Sequence, residues 1–434
     1  MRMNSFGAAI VITAALVDTA AAQQQVMMTP YGGTKPQPVS QTASDASDSP
    51  EEIAKDAARD LKDSRFYNKP GATRAEYNAD WQQCRLIARG SATPSGSVPV
   101  VYNPNMVSPL AAGVGGAIGS AIGAAIAEGI QRRANRRTCL LIKGWRLVEL
   151  PPAEQQRVAA MTDEQRSSYQ DSIVGAQTVD GKITELTSFS LKADPALNLE
   201  APVTGIASVF IGRKIDPRTP VVLGAGEGAV VLAFRRPDAN SAGRSGMLNI
   251  VRYDMATRDV VYKPRDWKKK GDKTTYGLPI VSGDRTSPYE VQVVRLTAGD
   301  YVIDGTGAGP GLPVASNCFG APTFHVSAGE VVYLGDFTPF WNVKLSDGTR
   351  IVALGYSAHI EEARTALATK QAALAAALKP AVVQNRATYG CSAIAMNRWD
   401  IPGMPSLPDP APAPAAATIA SPASTAPEAA PKIS

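Results

Sequence analysis

The sequence predicts an α+β protein built in several modules: a helical module first, then an antiparallel β-sandwich and a C-terminal helix, with disordered segments at both ends. Three observations carry this. Apolar and small residues recur at helical spacing between residues 74 and 137. Beyond residue 200, short runs rich in Val, Tyr and Phe alternate with Gly, Asp, Pro and Asn. The two ends are dominated by residues that bury little apolar surface. The chain has 434 residues, 44% of them hydrophobic, so it can bury at least one real core and has the length of two or three domains. Its net charge of +5 comes from 44 basic and 39 acidic residues without a one-sided block, which argues against nucleic acid as a partner.

Residues 1–22 read as a secretory signal, with Arg2 near the start, an apolar run from Phe6 to Val17, and Ala20, Ala21 and Ala22 before Gln23. The run is too short to span a bilayer as an anchor. An exported chain enters an oxidising compartment, here the periplasm or cell envelope, where four cysteines can form two disulfides. Of the three pairings, Cys84–Cys139 with Cys318–Cys391 is favoured because it joins neighbours within the apparent modules. Residues 23–48, rich in Gln, Thr, Ser and Pro, form an expected disordered spacer.

A helical module is expected over 49–175. Ser49-Pro50-Glu51-Glu52 and Thr73-Arg74-Ala75-Glu76 are capping boxes. After the second, Tyr77, Trp81, Cys84 and Ala88 share one helical stripe, with Gly90 placed to end it. Between 109 and 137 lies the sharpest signal: Ala111, Gly115, Gly119, Gly123 and Ala127 recur every four residues beside a ridge of Leu110, Val114, Ile118, Ile122 and Ile126. Glycine costs about 1 kcal/mol against alanine inside a helix, so three in one row imply a close neighbour. Such a groove admits another helix backbone. Residues 139–150 read as a strand or the end of a helix, and 152–172 as one or two short helices.

The four-residue row resembles the glycine-zipper segment of bacterial cell-envelope proteins. The likeness extends over residues 74–150, through Trp81 and Cys84 before the row and Cys139, Gly144 and Trp145 after it. It implies association with membranes or other membrane helices and assembly into homo-oligomers. Three placements of the zipper remain open: lying on or partly in a membrane, spanning it, or buried in protein. Its large aliphatics contribute only about −1.5 to −3 kcal/mol toward insertion, which weakens the case for a span. A Cys84–Cys139 bond weakens it further, because the intervening chain would have to recross lipid as extended backbone.

The β region is expected over 200–356, with strands at 229–234, 247–253, 289–296, 301–304, 331–337 and 341–345. The turn Leu296-Thr-Ala-Gly299-Asp-Tyr301 resembles, weakly, that of transthyretin-like or immunoglobulin-like sandwich modules, and Val326-Ser-Ala-Gly329-Glu repeats its outline. Ser357 is expected to cap an Ala-rich helix running to Lys379-Pro380, inside a segment 357–402 that Cys391 ties back. Loop closure over this pair contributes on the order of 4 kcal/mol. Residues 403–434, with ten alanines and eight prolines, are an expected disordered tail.

No motif calls for catalysis, a metal or a cofactor. Gly224-Ala-Gly226-Glu-Gly228 precedes a β-like run where a dinucleotide site needs a helix, so a hairpin turn is the better reading. Gly305 to Gly311 has no Gly-Lys-Ser/Thr ending. Gly355-Tyr-Ser357-Ala-His359 misses the last glycine of a nucleophile elbow. His359 lacks a histidine four residues away, and His325 falls in an expected strand. The basic stretch with Lys263, Arg265, Lys268, Lys269 and Lys270 around Trp267 is a candidate contact for anionic surfaces, although a solvated hairpin tip explains it more cheaply. The expected function is a non-catalytic, exported envelope scaffold or interaction module. A transport or pore-forming component is the alternative, and an envelope hydrolase a distant third.

Overall fold

The structure is a computed structural model and describes residues 65–89, 92–93, 96–97, 121–184, 194–307, 315–348, 350–392 and 396. The expected signal, spacer and tail, most of the zipper, and the capping box at Ser49 lie outside these residues.

The polypeptide enters through β1 (Arg65–Asn68) and α1 (Arg74–Ile87). Thr73 caps α1 as expected, its Oγ1 accepting the Glu76 N–H at 3.1 Å. The helix buries Tyr77, Trp81, Cys84 and Ile87 on one stripe. It ends at Ile87 rather than Gly90, because Ala88 is drawn into a β-bridge with Cys391. A two-stranded ribbon, β2 (Ala92–Thr93) with β3 (Gly96–Ser97), precedes α2 (Ala121–Ile142). Gly144, at φ 87°, supplies the left-handed turn that stops α2, and the Trp145 N–H closes back on the Leu140 carbonyl. The chain continues into β4 (Arg146–Glu149), between β1 and β5 (Lys182–Thr184) in a small antiparallel sheet. Two short helices, α3 (Pro152–Ala159) and α4 (Asp163–Ile173), intervene, the second opened by the Thr162–Gln165 capping box.

Two larger sheets follow. The first is antiparallel, in the order β10 (Gly277–Val281), β8 (Met247–Asp254), β12 (Gly299–Gly307), β14 (Phe319–Val326), β18 (Val383–Thr388). Short β9 (Asp259–Val260) pairs with β8, and β13 (Ala315–Ser316) with β12. The second runs β16 (Arg350–Ser357), β15 (Val331–Lys344), β7 (Glu227–Arg235), β11 (Tyr289–Thr297), β6 (Ser208–Phe210), with β17 (Leu378–Pro380) also on β15. The expectation of wholly antiparallel pairing needs correction here: β7–β15, β6–β11 and β15–β17 are parallel. Each joins segments that are far apart in the chain, as parallel neighbours require. The expected runs 331–337 and 341–345 are one strand, β15.

Strand alternation decides what each face buries. Val230, Leu232 and Phe234 of β7 pack with Leu248, Ile250, Tyr301, Ile303 and Phe324 of the first sheet in a shared core. Ala229, Val231 and Ala233 face the other way, against Ala363, Leu367 and Leu374 of the C-terminal helices. On the far side of the first sheet, Val302, Phe319, Ala321 and Ala387 share a core with Tyr77, Trp81, Leu140 and Trp145. The helical and β segments therefore meet in a common core, and all four cysteines lie in it.

The Ala-rich helix differs from expectation. It starts after His359, while Ser357 remains in β16, and it is broken into α5 (Ile360–Ala368) and α6 (Ala372–Ala377). The break has a tertiary cause. Gln371, buried at the junction, donates through Nε2 to the carbonyls of Pro217 (2.6 Å) and Thr219 (2.7 Å) and accepts from the Val221 N–H.

Candidate functional site

The described residues line a half-open cavity of about 290 Å³ on the first sheet, beside the helices. Its floor is Asp304. In β12, Ile303 and Gly305 face successive residues Ile250 and Asn249 of β8, so Asp304 is the extra residue of a β-bulge. A bulge re-aims a side chain out of the ladder. Here it brings the carboxylate to the cavity, partly exposed, with three neutral donors around it. Tyr389 Oη and Ser316 Oγ donate to Oδ1 at 2.7 and 3.0 Å, and Asn249 Nδ2 donates to Oδ2 at 3.0 Å. Burial pushes this carboxyl above its ordinary value, against the opposing pull of those donors. Val251, Val260 and Val261 give the cavity apolar walls, and Tyr262 and Tyr276 complete it.

Two cations stand beside the cavity, Arg89 and Lys263, and neither forms an ion pair with Asp304. Arg89 follows α1, with Nη2 2.6 Å from Asp259 Oδ2 and Nη1 2.5 Å from the Tyr262 hydroxyl. Gly390 makes room for it: a Cβ there would lie 2.6 Å from Arg89 Cζ. Lys263 sits at the rim with Nζ 4.6 Å from the centre of the Trp267 ring.

A second polar cluster ties β15 to the start of α5. Asp336 is fully buried. It faces His359 Nδ1 at 2.6 Å, accepts from Tyr289 Oη at 2.9 Å and Tyr333 Oη at 2.5 Å, and lies 3.8 Å from Arg235 Nε. Asp336 holds the imidazole above its ordinary pKa through their hydrogen bond. His359 Nε2 meets Glu200 at 3.2 Å, so both ring nitrogens are committed to carboxylates. Ser357, the serine of the near-elbow motif, has its buried Oγ without a hydrogen-bond partner among the described residues. The cluster orients an imidazole but joins it to no serine hydroxyl.

The residues singled out in the sequence are placed as follows. Cys84 pairs with Cys139 and Cys318 with Cys391, each with Cα atoms 5.5 Å apart. Gly123 and Ala127 lie in the first turns of α2. Ala111, Gly115 and Gly119 fall outside the described residues. Lys263, Arg265, Lys268, Lys269 and Lys270 are exposed. Within that group, Lys270 pairs with Asp266 at 2.8 Å, and Lys268 as well as Lys263 lies over Trp267. Gly224–Gly228 is a turn into β7, closed by the Glu227 N–H on the Gly224 carbonyl. Among the described residues no group of His, Cys, Asp and Glu could hold a metal. No described helix is long and apolar enough to cross a membrane. The two cysteine pairs fit an oxidising, exported environment.

Sequence reasoning missed the cavity. Its parts come from residues 249, 262, 276, 304, 316 and 389, and no local spacing links them. Comparison with known proteins adds no name: no family model matches the chain, and no curated protein and no solved structure matches it either.

Proposed function

We propose that the chain is a non-catalytic, exported cell-envelope protein. In this reading it is an interaction scaffold whose zipper helix engages membrane or partner helices, and whose two facing sheets act as a β-sandwich-like body. The observation that carries the reading is the anchorage of α2. The end of the zipper, Gly123 and Ala127, belongs to a helix fastened to α1 by Cys84–Cys139 and sealed against the first sheet. Arg136 lies 4.9 Å from the Trp81 ring, and Lys143 pairs with Asp80 at 2.7 Å, so the lower half of α2 is fixed on several sides. In this reading, contacts made at the start of α2, around Gly123 and Ala127, are passed on to the body to which the helix is fastened.

Cell fractionation combined with crosslinking of full-length protein tests this. The protein is expected in the envelope fraction. Gly119→Leu is expected to abolish most of the crosslinked species, because leucine fills the groove a partner backbone needs. Unchanged crosslinking overturns the role of the groove. A single detergent-stable oligomer of fixed size shifts the reading to a pore or transport component.

A further inference from the structure

We propose that the Asp304 cavity is a receptor site for an alkylammonium group, the positively charged end of a lysine side chain or a free amine. The inference goes beyond the scaffold reading and does not depend on it.

The first argument is charge balance. Carboxylates removed from water are expected to hold a cation. Glu290 and Asp336, set into the second sheet, have Arg236 at 3.4 Å and Arg235 at 3.8 Å, the latter with His359 as well. Asp259 beside the cavity has Arg89 at 2.6 Å. Asp304 differs: its partners are a phenol, an alcohol and an amide, and no ion pair to it forms among the described residues. Of the nearby cations, the Arg89 guanidinium is held by Asp259, and the exposed Lys263 ammonium lies over the Trp267 ring at the rim.

The second argument is the shape and lining of the space. A carboxylate oxygen accepts two hydrogen bonds. Oδ1 has both of its donors, whereas Oδ2 has one and can accept another. Around it stand Tyr262, Tyr276 and Tyr389, whose rings attract a cation, and Val251 and Val260, which suit a hydrocarbon stem. About 290 Å³ is at the small end for ligand sites, which suits a single side chain or a short amine. One carboxylate among protonated phenols is a poor set for a divalent ion, which takes six or more oxygens.

Calorimetric titration of the full-length, oxidised protein with pentylammonium, Nα-acetyl-lysine methylamide and neutral pentanol tests the site. Both ammonium probes are expected to bind one per chain, at least tenfold more tightly than pentanol. Tighter binding of the lysine derivative assigns the site to a protein side chain, and tighter binding of pentylammonium to a free amine. Asp304→Asn is expected to weaken ammonium binding at least tenfold while envelope partition and crosslinking stay unchanged, which separates this site from the zipper. Wild-type protein supplies a second measurement: ammonium affinity falls on acidification as Asp304 takes up its proton. Equal binding of pentylammonium and pentanol, no ammonium binding, or undiminished binding by Asp304→Asn overturns the proposal.

Discussion

Asp336 and Asp304 are two withdrawn carboxylates on two facing sheets, and their surroundings differ. Asp336 lies in β15 with His359 and Arg235 beside it and two tyrosine hydroxyls on its oxygens. Its charge is answered inside the protein, and the cluster holds strand to helix. Asp304 lies on a bulge of β12 with neutral donors only, and faces open space. Burial raises both carboxyls, so burial alone does not distinguish a structural acid from one available to a ligand. The distinction lies in whether the protein supplies the opposite charge.

The largest test of this contrast is Asp336→Asn. Removing the buried member of this charged cluster leaves Arg235 and His359 only their outer carboxylates, Glu362 at 3.4 Å and Glu200 at 3.2 Å, and is expected to cost about 3 kcal/mol in denaturant unfolding at neutral pH. The same exchange at Asp304 removes a charge that folding had to desolvate. Asp304→Asn is expected to change stability by less than about 1 kcal/mol, toward stabilisation. A loss of more than about 2 kcal/mol there would erase the contrast.

A smaller effect comes from pH. The folded pKa of His359 is raised, so its contribution is fully present below the ordinary histidine range and is lost as pH rises through the folded value. Melting temperature is therefore expected to fall between pH 6 and pH 8. The His359→Gln variant is expected to flatten that slope, and an equally steep slope in the variant would move the titration to another group. The smallest effect belongs to the basic hairpin. Changing Lys268, Lys269 and Lys270 together to serine is expected to alter folding stability by less than about 0.5 kcal/mol, since all three are exposed and the ion pair of Lys270 with Asp266 is a surface one. Any loss of binding to anionic vesicles in that variant would then report on surface contact rather than on folding.

The strands were legible because each carries its own local pattern: Ala229–Phe234 sits within β7 and Tyr289–Leu296 within β11, almost to the residue. The cap at Thr73 and the stripe Tyr77–Trp81–Cys84 were legible for the same reason. The parallel register of β7 with β15 was not, since it is set by how distant segments stack and not by either strand alone. The break at Gln371 was hidden too. Alanine on both sides favours a continuous helix, and carbonyls at residues 217 and 219 decide otherwise. At the candidate site, Asp304 was visible only as the acidic end of an expected strand. The bulge that turns it, and the Tyr389 and Asn249 that meet it, belong to tertiary structure.

The seam between α1 and the C-terminal end of the described chain carries a further consequence. Cys391 donates its N–H to the Ile87 carbonyl at 2.7 Å, Gln131 Nε2 donates to the Ser392 carbonyl at 2.7 Å, and Tyr389 and Cys391 close the core around Cys84. A ribosome makes α1 and α2 early and this closing segment late. In an oxidising compartment the first cysteine pair can therefore lock before Cys391 has docked, with the core around it half-covered until the closing segment arrives. A polypeptide cut short before residue 389 is thereby expected to leave its α1–α2 core more open to limited proteolysis than one in which Tyr389 and Cys391 cover it.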